Sequence, residues 1–88
     1  MDVKIVAGQI NRENTPVRYW KSENVPLQIG GYAIVENANG YDLIKVVGYV
    51  YTTLDKVKLF SNTRYENMKN VVMAFGKEVI EREGKENG

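Results

Sequence analysis

The sequence predicts a mainly β chain: a small, strongly bent antiparallel sheet or barrel with one or two short helices. Three observations lead there. Asn39-Gly40 lies between two apolar-rich runs, and both residues tolerate the positive φ that a type I′ hairpin turn requires. The runs flanking that turn, within Gly30–Thr52, carry apolar residues on both faces, as in a sheet that curls on itself. Gly48 falls inside the second run, where a glycine marks a bulge or sharp bend.

Val3–Ile10 (VKIVAGQI) reads as the first strand, with Gly8 bending or ending it. Asn11–Thr15 is polar and turn-like. Pro16–Trp20 (PVRYW) suits an edge strand, where a proline is tolerated. Lys21–Asn24 is a loop, and Val25–Ile29 leads into Gly30-Gly31, a tight turn before the hairpin. With Asn39 and Gly40 as the two loop residues, Val35 opposes Ile44, Ala33 opposes Val46 and Tyr32 opposes Val47. Opposed residues share a face. One face then holds Ala33, Val35, Ile44 and Val46. The other holds Tyr32, Ile34, Leu43 and Val47, joined by Glu36 and Lys45.

Beyond Thr52, Asp55–Phe60 (DKVKLF) predicts a short helix, with Thr53 or Asp55 near its N-cap and Ser61-Asn62 ending it. Thr63-Arg64-Tyr65-Glu66 matches a capping box. Tyr65, Met68, Val72, Phe75 and Val79 recur at helical spacing, so one long C-terminal helix in an α+β fold is the competing reading. Gly76, two asparagines and the β-branched pair Val71-Val72 oppose it; an interior glycine alone costs about 1 kcal/mol in a helix. The preferred reading is a last strand over Lys69–Phe75, then a short helical or frayed 77–83.

Eighty-eight residues make one domain, 1–83, with a disordered tail at 84–88. Leu27–Glu36 (LQIGGYAIVE) resembles the entry to SH3-like small barrels, in which an apolar residue precedes a glycine turn and a Tyr-x-x-Val-Glu strand follows. Tyr41–Val47 (YDLIKVV) continues the likeness, as in PSP1-like barrels, and the chain is also similar to small proteins common in Gram-positive bacteria and their phages. Gly31 stands where such barrels often carry an acidic residue. The resemblance implies a fold and transfers no functional residue.

Composition excludes more than it assigns. The chain has no Cys and no His, which removes disulfides, thiolate or imidazole metal sites, and His- or Cys-based catalysis. Glu36 and Asp42 fall on opposite faces of the hairpin, which disfavours a paired acid and base. No enzymatic activity and no cofactor is expected. Twelve basic against eleven acidic residues, a net charge of +1, disfavours a non-specific nucleic-acid binder. Neither a signal peptide nor a membrane span is read, so a cytoplasmic location is expected.

The aromatic residues are the functional lead. Tyr41, Tyr49 and Tyr51 alternate on one strand, and Tyr32 joins them if Gly48 leaves the alternation intact. Tyr19-Trp20 sits nearby on the edge strand. Lys45, mid-strand among apolar residues, either snorkels or pairs with Glu36. The expected binding face is therefore Tyr19, Trp20, Tyr32, Lys45, Tyr49 and Tyr51. The competing reading is that these rings only cover a small core. A protein partner is expected on that face, with a phage-type inhibitor or accessory protein as one form. Nucleic-acid or nucleotide binding is the alternative: rings stack on bases, and Arg12, Arg18, Lys21, Lys45, Lys56, Lys58 and Arg64 contact phosphates. Open sheet edges and the many tyrosines also invite a homodimer.

Overall fold

The computed structural model describes residues 2–10 and 15–76. Five strands follow in order: β1 (Asp2–Ile10), β2 (Arg18–Lys21), β3 (Tyr32–Asn37), β4 (Gly40–Thr53) and β5 (Val71–Phe75). A short helix, α1 (Val57–Ser61), and a 3₁₀ turn, Tyr65–Asn67, lie between β4 and β5. The strands form one antiparallel sheet in the order β2-β1-β4-β3-β5. The fold is mainly β, with no long helix among the described residues. Val71-Val72 extends as a strand, as its β-branching favours. The expected helix at 77–83, the tail at 84–88 and most of the turn at 11–15 lie outside the described residues.

The sheet curls until its two edges touch. Lys21 N–H donates to the Lys69 carbonyl at 2.8 Å, and Glu36 N–H donates to the Asn70 carbonyl at 2.9 Å. Residue 70 thus bridges β2 and β3 just before β5 begins. Curling brings one face of every strand together. Val6, Trp20, Ala33, Val35, Ile44, Val46 and Val71, drawn from all five strands, form the main core. Val25 and Leu27, from the loop before β3, pack against it. On the opposite face of β1, Ile5 packs with Val57 of α1 and with Met68, flanked by Val3, Tyr19 and Tyr65. The α1–3₁₀ segment therefore covers the outside of β1 and β2. This is why adjacent residues Ile5 and Val6 are both fully buried.

The hairpin register differs from expectation by two residues. Asn37 opposes Gly40, Val35 opposes Asp42, Ala33 opposes Ile44 and Tyr32 opposes Lys45, so the loop residues are Ala38 and Asn39. Gly40 has φ +135°, and Asn39 is not in the positive-φ region, so no type I′ turn forms. One glycine past the tip supplies the unusual φ. The shifted register also lets the Asn37 side-chain amide donate to the Asp42 carboxylate. A two-residue shift preserves the two-residue side-chain period, and Ala33, Val35, Ile44 and Val46 still share the buried face.

The bend lies where the glycine suggested. Ala7 opposes Gly48, but Gly8 opposes Val46, so Val47 bulges out of the β1–β4 ladder. Past the bulge, β4 continues with β1 alone, because β3 pairs only as far as Lys45. Two expected caps do not form. The N-cap of α1 is Lys56, with no side-chain cap bond, and Arg64 precedes the 3₁₀ turn likewise uncapped. Packing of Val57 and Met68 into the outer cluster holds this segment instead.

Candidate functional site

The bulge decides which rings share a surface. Opposed residues point to the same side, so Tyr49 and Tyr51 lie with Val6 and Lys4. That is the side of Ile44 and Val46. Tyr41, before the bulge, lies on the other side with Lys45 and Tyr32. The extra residue at Val47 reverses the alternation, and the six expected residues do not form one face.

Trp20 is only 3% exposed and is part of the main core. Its indole N–H points to the Asn37 side-chain oxygen at 3.4 Å. Tyr32 is 9% exposed, enclosed between Lys45 and Phe75 on its neighbouring strands. Tyr19 packs edge-to-face on Phe60 with ring centroids 5.4 Å apart, closing the outer cluster. Lys45 opposes Tyr32 and Gln9, is exposed, and makes no ion pair with Glu36. For Trp20, Tyr32 and Tyr19 the covering role prevails, because a small core needs their bulk.

Tyr49 and Tyr51 remain exposed, at 42% and 62%. Their rings meet edge-to-face, 6.2 Å between centroids. The Lys4 ammonium sits 4.9 Å from the Tyr49 centroid and 6.0 Å from that of Tyr51. It also donates to the Val25 carbonyl at 3.2 Å. The two rings and the cation form a held, amphipathic patch, since cation–π attraction favours the ammonium over a ring face. Lys4 is the member that sequence reasoning missed. Its alternation between Val3 and Ile5 placed it on a strand face, but only the β1–β4 register sets it beside the tyrosines.

A groove of about 570 Å³ lies between β2 and the α1–3₁₀ segment, lined by Arg18, Tyr19, Trp20, Asn37, Phe60 and Lys69 among others. Nearby, the Tyr65 hydroxyl donates to the Glu23 carboxylate, and the Lys21 ammonium lies 4.9 Å from the Tyr65 ring centroid. Desolvation and then the Glu23 carboxylate raise the Tyr65 phenol from 10.0 to about 12. The folded chain therefore holds this proton more tightly than the unfolded chain does. The resulting stabilisation is complete below pH 10 and is lost as the pH rises towards 12. Urea-unfolding midpoints across that range should fall more steeply for the wild type than for Tyr65→Phe. Parallel curves would refute the link between Tyr65 ionisation and stability.

Among the described residues no group of three or more carboxylates is placed to hold a metal ion. No helix among them is long and apolar enough to cross a membrane. The site belongs to the class of open sheet surfaces that offer rings and backbone instead of an enclosed cavity. The chain matches no family model, no curated protein and no solved structure.

Proposed function

We propose that this chain is a non-enzymatic binding module that engages a protein partner through the Tyr49–Tyr51–Lys4 surface of β1 and β4. The observation that carries this reading is the exposure of two tyrosines fixed against each other and against a lysine. Rings held in place lose little entropy on binding, and tyrosine combines apolar area with a hydroxyl, which is why it recurs at binding hot spots. Nucleic-acid binding by the same rings is the second reading, favoured by Lys4 alone. Lys45 lies on the opposite side of the sheet, and Lys21 is engaged over Tyr65.

Affinity capture from source cells, quantified against the Tyr49→Ala/Tyr51→Ala double variant, tests this function. Loss of two hot-spot rings is expected to weaken a complex by at least about tenfold. Both side chains are substantially exposed, so the variant should keep its melting temperature within a few degrees. Full retention of the captured protein by the double variant would overturn the reading. Salt-sensitive binding of single-stranded oligonucleotides, lost in the same variant, would replace it with the second.

A further inference from the structure

Among the described residues, the same stretch of β4 carries an unpaired backbone edge. In β1, the Lys4 carbonyl accepts from Ser22 N–H at 3.0 Å, on the β2 side. Backbone groups alternate in direction along a strand. Asp2, Lys4 and Val6 therefore direct their groups towards β2, and Val3, Ile5 and Ala7 direct theirs towards β4. The β4 residues opposite the first set are Thr53, Tyr51 and Tyr49. Their N–H and C=O groups point away from β1. Val46 behaves the same way, bonding outward to Gly30 and Gly31. Beyond Val46 no described strand follows on that side. The Thr53 carbonyl closes a turn with Lys56 N–H at 3.1 Å, but Tyr49 and Tyr51 have no backbone partner on that edge among the described residues.

Among the described residues, this stretch of β4 lacks the usual protection of its own. Natural sheets guard their edges with charges, prolines or short strands. The β2 edge has Pro16 and Arg18 beside it and Lys21 bonded across. Val47–Leu54 (VGYVYTTL) contains neither a charged residue nor a proline. Val47, Tyr49, Val50, Tyr51 and Leu54 are each at least 40% exposed.

We infer that this edge pairs with the same edge of a second copy, antiparallel, about a two-fold axis through Tyr51. The inference rests on the Tyr49–Tyr51 surface being a protein-binding site and names its partner. The outward-facing residues Tyr49 and Thr53 stand at equal spacing on either side of Tyr51, as an isologous interface requires. Tyr51 would exchange both backbone bonds with its counterpart, and each Thr53 N–H would donate to the opposite Tyr49 carbonyl. The uncharged run meets itself without like-charge conflict, and the two β sheets become one continuous sheet. Within Val47–Leu54 a charged peptide strand would find no countercharge, and beside it only the Lys4 ammonium, already held over the two rings, which favours a second copy over an unrelated acidic or basic segment.

Sedimentation velocity over a concentration series, with amide exchange followed by NMR, tests the pairing. A reversible dimer is expected, with concentration-dependent protection of the Tyr49, Tyr51 and Thr53 amides. The Val50 and Thr52 amides, already bonded to β1, should not change. Tyr51→Glu and Tyr51→Lys should each weaken self-association by at least about tenfold, and their mixture should restore it, because the axis places residue 51 against residue 51. A wild type that is monomeric at every concentration, unchanged protection on dimerisation, or a mixture that fails to associate would each overturn the inference. Loss of a different captured protein in the Tyr49→Ala/Tyr51→Ala variant would still support the broader function if the chain proved monomeric.

Discussion

Trp20→Ala is expected to cost about 3–5 kcal/mol, most of the stability of a domain this size. Trp20 is 3% exposed and contacts a core to which every strand contributes. Its removal leaves a cavity at the junction of β1 and β2, and among the described residues β2 contributes no other side chain to the main core. Thermal melting checks this directly: at about 4–8 °C per kcal/mol, the midpoint should fall by more than about 12 °C. Trp20→Phe keeps much of the ring volume and should lose far less. Binding per folded molecule should be unchanged in Trp20→Phe, because the indole is not at the surface. A Trp20→Ala protein that melts normally but fails to bind would return this residue to the binding face.

Gly8→Val is expected to be the second most damaging change described here, costing about 1–3 kcal/mol or more through overpacking. Even a bare Cβ at Gly8 would stand 2.6 Å from Ile44 Cδ1 and 3.0 Å from the Lys45 carbonyl oxygen. The methyl group has some freedom to rotate away. The carbonyl belongs to β4, and moving it strains the β1–β4 ladder beside the bulge. Gly48→Val offers the contrast, since nothing lies within 4 Å of a Cβ there and its φ is not positive. That substitution should stay within about 0.5 kcal/mol. Denaturant midpoints of the two variants, measured side by side, check both. Equal losses would show that backbone freedom at the bulge, and not the close approach at Gly8, sets the glycine requirement.

The comparison bears on how the bend is made. Gly48 stands out in the sequence because it interrupts an apolar strand, and it does mark the bulge. The residue with no room for a side chain is Gly8, on the facing strand. A sequence shows a glycine but not which partner backbone approaches it. The hairpin behaves similarly. Its apolar face was legible because alternation survives a two-residue slip, whereas the register depends on turn geometry and on the Asn37–Asp42 contact.

The candidate site was legible only in part. Tyr49 and Tyr51 stand two apart on a strand, so their common face followed from the pattern alone. Their separation from Tyr32 and Lys45 followed from one extra residue at Val47, which reverses every side chain beyond it. Trp20 and Tyr19 could be read as either surface or core, because an aromatic residue on an edge strand is exposed or buried according to what packs over it. Here the curl of the sheet encloses Trp20, and α1 supplies Phe60 against Tyr19.

By itself the sequence determined that this chain is mainly β and that its centre is a hairpin with a buried alternating face, and it favoured a last strand over Lys69–Phe75 above a long helix. Those features rest on local propensity and a two-residue period, which neighbouring residues encode. Only the tertiary structure decided which rings meet, that Lys4 joins Tyr49 and Tyr51, and that β4 outruns β3 to leave an edge with no strand on it among the described residues. Each of these depends on inter-strand register, and register is a relation between distant segments that no single segment carries.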